Sequence, residues 1–152
     1  MMTTPSRRKA TSWVVGGTLA AAATLTATLG TGTAAAQDGV TSTTLYTLSS
    51  TGACAGTLTA SVDHYPDEAD LIAGGTLSGA APCTLDVDFV FTSRADGHTT
   101  TFSRHFAGPG TFGLPGADVV SPGAPGVYDV AVKPHAAYLG GQTLTIDTTY
   151  HG

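Results

Sequence analysis

Cys83-Thr84-Leu85-Asp86-Val87-Asp88-Phe89-Val90-Phe91-Thr92 alternates between two kinds of residue. Cys83, Leu85, Val87, Phe89 and Phe91 share one side of an extended chain, and Thr84, Asp86, Asp88 and Thr92 share the other, with Val90 the exception. Side chains point to opposite faces along a strand, so this spacing predicts a half-buried β-strand with one face in a core and one in water. The same period recurs on both sides of it. Cys54, Gly56, Leu58, Ala60 and Val62 oppose Ala55, Thr57, Thr59, Ser61 and Asp63; Tyr128, Val130 and Val132 oppose Asp129, Ala131 and Lys133. Near the end, Leu144, Ile146, Thr148 and Tyr150 oppose Thr143, Thr145, Asp147 and Thr149. Thr/Asp outer faces of this kind suit antiparallel sheets with one solvated side.

Further strands are expected over residues 41–48, 69–78 and 98–106. In the last, Phe102 and Phe106 share a face with Arg104, so that strand should be bulged, at an edge, or out of phase. Residues 108–126 are the richest in Gly and Pro and are read as two loops around one short strand at 117–120. No stretch of the mature part sustains a helical period. Seven or eight short strands at this spacing predict an all-β fold, a small antiparallel β-sandwich.

Pro125-Gly126-Val127-Tyr128-Asp129-Val130 resembles the tyrosine corner of immunoglobulin-like sandwiches, where a Tyr entering a late strand hydrogen-bonds back over the preceding loop. The resemblance implies an immunoglobulin-like topology as one form the sandwich can take, alongside other strand orders.

Cys54 and Cys83 are the only cysteines, and each belongs to the inward set of its strand. Two cysteines in a small exported domain most often pair. Closing a loop of about 30 residues is worth roughly 3.5 kcal/mol by the chain-entropy estimate. Both cysteines open their strands, and one further strand lies between them. In a plain meander they would then stand about 9.6 Å apart, two strand spacings, beyond the reach of a disulfide. A Cys54–Cys83 bridge therefore requires the two strands to lie in opposite sheets, or to be direct neighbours with the middle strand displaced to an edge.

Export is read from the first 36 residues. Arg7, Arg8 and Lys9 precede an uncharged Ala/Thr/Val/Leu stretch over residues 10–33, closed by Ala34-Ala35-Ala36. A basic head, an apolar middle and a small-residue end make a secretory signal peptide. Residues 37–152 are expected to form a single β-sandwich domain that is secreted, extracellular and free of the membrane after cleavage. Arg7-Arg8 leaves the twin-arginine and general routes both open. The Gly/Ala/Thr-rich make-up behind this leader resembles exported proteins of high-GC actinobacteria.

All 11 acidic residues follow Ala36, against three Lys/Arg, so the mature part carries −8 with histidines neutral. Binding a phosphate backbone requires Lys/Arg to displace counterions, so a nucleic-acid partner is not expected. A basic partner is the direction that charge permits, and outward Asp86, Asp88, Asp129 and Asp147 could line an acidic face for one. On a solvent-facing sheet the same charges also discourage aggregation.

Asp63, Asp67, Glu68 and Asp70 are calcium candidates, since oxygen-rich loops bind calcium. Their spacing matches no EF-hand or Gly-rich calcium repeat, and a solvated acidic turn is the preferred reading. His64, His98, His105, His135 and His151 form no H-x-H or H-x-x-x-H pair. No cofactor is expected. A strained G-x-S-x-G turn is absent, so an enzyme is not expected either.

The expected function is therefore that of a small secreted, non-catalytic protein binding an unidentified extracellular partner or ligand. One alternative is an inhibitor of an extracellular hydrolase acting through an exposed loop, with residues 108–126 the candidate. A second is a small-molecule carrier. The acidic, Gly/Ala/Thr-rich composition resembles the apoproteins of actinomycete enediyne chromoproteins, which carry four cysteines where this chain has two. No binding residue transfers from them. A pocket between the sheets lined by Phe102, Phe106 and Tyr138 would favour a carrier; a protruding ordered loop would favour an inhibitor.

Overall fold

The alternation around Val87 becomes the longest strand of one of two antiparallel sheets. A computed structural model describes residues 41–149. The predicted leader, the mature start at Gln37, and Tyr150 and His151 lie outside the described residues. The strands are β1 Ser42–Leu48, β2 Cys54–Tyr65, β3 Glu68–Gly79, β4 Cys83–Ser93 and β5 Thr99–Gly108. They continue as β6 Gly110–Gly113, β7 Val119–Val120, β8 Val127–Pro134, β9 Tyr138–Gly140 and β10 Leu144–Asp147. The first sheet runs β6-β3-β2-β1-β9, with β7 also on β3, and the second runs β10-β8-β4-β5.

The inward sets meet between the sheets. Leu58, Leu71, Leu85, Val87, Phe89, Phe91, Val130 and Leu144 are fully buried. Burying such side chains is worth about 1.5–3 kcal/mol each, which makes the period-two pattern the main determinant of the fold. Phe91 anchors the aromatic part of the core, edge-on to Phe102 at 5.6 Å and to Tyr128 at 6.2 Å.

A disulfide joins Cys54 at the head of β2 to Cys83 at the head of β4, with the Cα atoms 6.1 Å apart. The two strands lie in opposite sheets, the first of the arrangements the spacing required. Ser50 and Thr51, in the β1–β2 turn, donate their amides to the Thr84 carbonyl at 2.7 and 3.2 Å, so the sheets are stitched at the same end by main-chain bonds.

Ten strands replace the seven or eight expected. Residues 108–126 supply two strands rather than one, because β6 and β7 both lie along β3. Tyr138–Gly140 was hidden by its length of three residues. Tyr128 donates its hydroxyl to the Ala124 carbonyl, four residues back, as a tyrosine corner does. That corner sits in a different frame from an immunoglobulin sheet. There the first two strands are followed by the fifth and fourth, whereas here β1, β2 and β3 pair in chain order.

Candidate functional site

The two outer faces differ in chemistry. On the second sheet, β4 places Asp86 and Asp88 outward, and the flanking strands bring partners to them. Register sets Asp86 opposite His105 of β5, and Asp88 between Ser103 of β5 and Lys133 of β8. His105 Nδ1 lies 2.6 Å from Asp86, and His135 Nε2 lies 2.7 Å from Asp88. Ser103 donates to the other Asp88 oxygen at 2.6 Å. The hydrogen bonds from Ser103 and then His135 hold the Asp88 carboxyl below the usual carboxylate range, and Asp88 in turn holds the His135 imidazolium above its ordinary value.

Asp129 is engaged likewise. Arg94 donates to it from Nε and Nη2 at 3.0 and 2.6 Å and lowers its pKa, with Thr145 a lesser contributor. Asp147 accepts from the Thr149 amide and hydroxyl. The four outward aspartates are thus each satisfied by a neighbour, and the face is a lattice of local pairs rather than open negative charge. Ser103 and His135 grip opposite oxygens of one carboxylate. A nucleophile and its base must share a proton with each other, and these two do not.

The calcium candidates occupy the β2–β3 hairpin. Pro66 and Asp67 form its two-residue turn, with Asp67 at φ 65°, a left-handed conformation that Asp tolerates. Asp63 and Asp70 stand opposite each other across the ladder, and Glu68 is opposite Tyr65. Asp70 is occupied by the Asp118 amide at 2.7 Å. Among the described residues, no three His, Cys, Asp or Glu side chains gather as a metal site would need.

The segment 108–126, which the inhibitor alternative would require to protrude, is bonded along β3. Leu114 donates its amide to the Ala73 carbonyl and Leu71 donates to the Asp118 carbonyl, while Val120 and Pro122 are buried. Phe106 lies against Phe112 at 4.7 Å and Phe102 leans on Phe91, so Phe106 belongs to the core and Phe102 packs against it. Tyr138 stands apart from them. It lines a cleft on the other face of the molecule.

That cleft is the feature sequence reasoning missed. β1 inverts the usual pattern at four positions: polar Thr43 and Thr47 are buried, whereas Tyr46 is 65% and Leu48 51% exposed, while Leu45 is buried and Ser42 and Thr44 are exposed as usual. Thr43 Oγ1 accepts the Gln142 amide at 2.7 Å, and the Thr47 hydroxyl donates to the Leu48 carbonyl at 2.8 Å, so both tolerate burial. Edge strand β9 sets Leu139 beside Tyr46, and Leu139 is 76% exposed. Tyr46, Leu48, Tyr138 and Leu139 wall a cleft of about 570 Å³. The small residues Ala55, Gly56 and Ala137 also line it. The signal was present in the outward register of Tyr46 and Leu48, but Leu45 between them points inward, and apolar residues on both faces obscure the period.

Among the described residues, no helix is long and apolar enough to cross a membrane. No protein-family model matches the chain, and neither the curated proteins nor the solved structures include a significant match to it.

Proposed function

We propose that this is a secreted, non-catalytic binding protein whose recognition surface is the apolar cleft between β1, β2 and β9. The observation that carries the reading is the inversion on β1. A strand that buries two threonines and exposes a tyrosine and a leucine forgoes hydrophobic burial of about 1.5–3 kcal/mol for each large side chain left out. Departures of this kind from the binary pattern concentrate at functional surfaces. Two features support extracellular action: the leader-like residues 1–36 and the Cys54–Cys83 disulfide, which suits an oxidising compartment. The inhibitor alternative draws less support, because residues 108–126 are pinned to β3 and to the core.

The test is affinity capture from culture supernatant with the exported protein as bait. Wild type should retain a partner or ligand that Leu139→Asp does not, with both proteins equally folded by circular dichroism. Equal retention by the two would remove the cleft from the binding surface.

A further inference from the structure

We infer that the cleft takes a neutral, largely apolar small molecule, rather than a protein segment or a second copy of this chain. The inference rests on the proposal that the cleft is the recognition surface, and it specifies the occupant. Three observations carry it.

The first is shape. A concavity of about 570 Å³ lined by small residues as well as large apolar ones falls in the volume range of small-molecule sites, about 300–1,000 Å³.

The second is charge. The domain after Ala36 carries −8, yet among the described residues no Asp, Glu, Lys, Arg or His lines the cleft. An anion would meet the domain's repulsive field, and a cation would find no carboxylate to replace its water. A neutral occupant suffers neither cost. The polar side chains of the lining are Tyr46, Thr47, Thr57 and Tyr138. The Thr47 hydroxyl is donated to the Leu48 carbonyl and that of Thr57 lies 3.4 Å from the Thr76 hydroxyl, whereas the two tyrosine hydroxyls have no hydrogen-bond partner among the described residues. They can orient one or two polar atoms of an apolar ligand, and their rings offer faces for an aromatic one.

The third is the poor fit of a second copy. A two-fold contact would set concave against concave and leave the space unfilled. Like domains of −8 repel each other, and β9 has only three residues to offer a sheet extension. The other large exposed hydrophobics, Tyr65, Ile72 and Val119, lie on β2, β3 and β7, away from the cleft's lining.

The exported protein is titrated with Nile red, a neutral planar probe, and in parallel with the anionic probe ANS. Nile red should bind saturably at one per chain, and ANS should not saturate. Ala55→Trp fills the cleft from an exposed strand position and should weaken Nile red at least tenfold without lowering the melting temperature. Should that variant misfold, Leu139→Ser serves in its place. Non-saturable binding, or binding unchanged in the variants, overturns the inference. So does light scattering that shows a dimer dispersed by Ala55→Trp. If Nile red does not bind while Leu139→Asp still abolishes capture, the ligand class falls and the cleft stands as the recognition surface. If Leu139→Asp changes neither, both fall.

Discussion

Val87 and Asp86 are adjacent and have opposite fates. Val87 is fully buried opposite Arg104 of β5, whereas the Asp86 side chain reaches solvent and meets His105. Val87→Asp would place a carboxylate in the inter-sheet core, where the cation across the ladder, Arg104, is already held by Asp118; burying the new charge costs several kcal/mol against a typical domain stability of about 5–15 kcal/mol. We expect that variant to be unfolded or barely folded, and Asp86→Val to melt close to wild type; equal thermal shifts would refute the assigned phase. Gly56 shows a different constraint. A Cβ there would come within 1.8 Å of the Thr76 carbonyl oxygen on the paired strand, so this residue of the cleft lining must lack a side chain. Tyr128 combines both kinds of constraint, with its ring against Phe91 and its hydroxyl on Ala124; burial pushes its pKa up.

At the scale of elements, edge strand β5 is held by charge as well as by its ladder. Arg104 points inward from β5 and meets Asp118 with Nε and Nη2 at 2.5 and 2.8 Å, the side chains each about a quarter exposed. Asp118 in turn donates its amide to the Asp70 carboxylate on β3, so one residue, through its carboxylate and its amide, ties the β6–β7 connection to both sheets. An inward charge also keeps an edge strand from pairing with other chains. Asp118→Ala leaves the guanidinium without its carboxylate and should cost about 1.5–3 kcal/mol, read as a lower denaturation midpoint. Between β4 and β8, the Asp88–His135 contact makes stability depend on pH. Asp88 titrates below its ordinary 3.8 in the folded state, so its contribution is present above that value and lost as pH falls through the lowered pKa. His135 titrates above its ordinary 6.5, so its contribution is complete below 6.5 and lost as pH rises through the raised pKa. The pair is therefore fully effective between about pH 4 and 6.5. Melting temperatures should decline from pH 6 to pH 8 in wild type, and His135→Gln should flatten that decline; an unchanged slope would assign it to another group.

For the molecule as a whole, the disulfide is the covalent link between the sheets. Cys54 and Cys83 are separated by 29 residues, and closing that loop in the unfolded chain corresponds to about 3.6 kcal/mol. The double variant Cys54→Ala/Cys83→Ala should lose about 2–5 kcal/mol in urea titration, yet retain the same fold because the inward sets of both sheets are untouched. The main-chain bonds from Ser50 and Thr51 to Thr84 hold the same end of the sandwich and should preserve its register. A loss under 1 kcal/mol would show that these bonds and the core already confine that end.

Fold class was readable from the chain because side-chain alternation is a local property. Val87, Leu58 and Val130 announce their faces through their immediate neighbours, and strand phase and spacing narrowed the disulfide to a bridge between opposite sheets or between direct neighbours, of which the sheet order selects the first. The misfit of Arg104 among phenylalanines marked β5 as bulged, out of phase or at an edge, and the sheet order makes it an edge. What the linear pattern could not carry was anything built from distant pieces. The acidic residues looked like an open face until the register brought His105, His135 and Arg94 to them. Residues 108–126 looked like two loops around one short strand until β3 offered main-chain partners to a second. Burial of Thr43 depends on Gln142, 99 residues away, and the cleft exists only where Tyr138 and Leu139 of β9 settle beside Tyr46 of β1. Alternation specifies which way a side chain points, but tertiary pairing decides what it meets, because hydrogen-bonded neighbours in a sheet are chosen by topology and not by sequence distance.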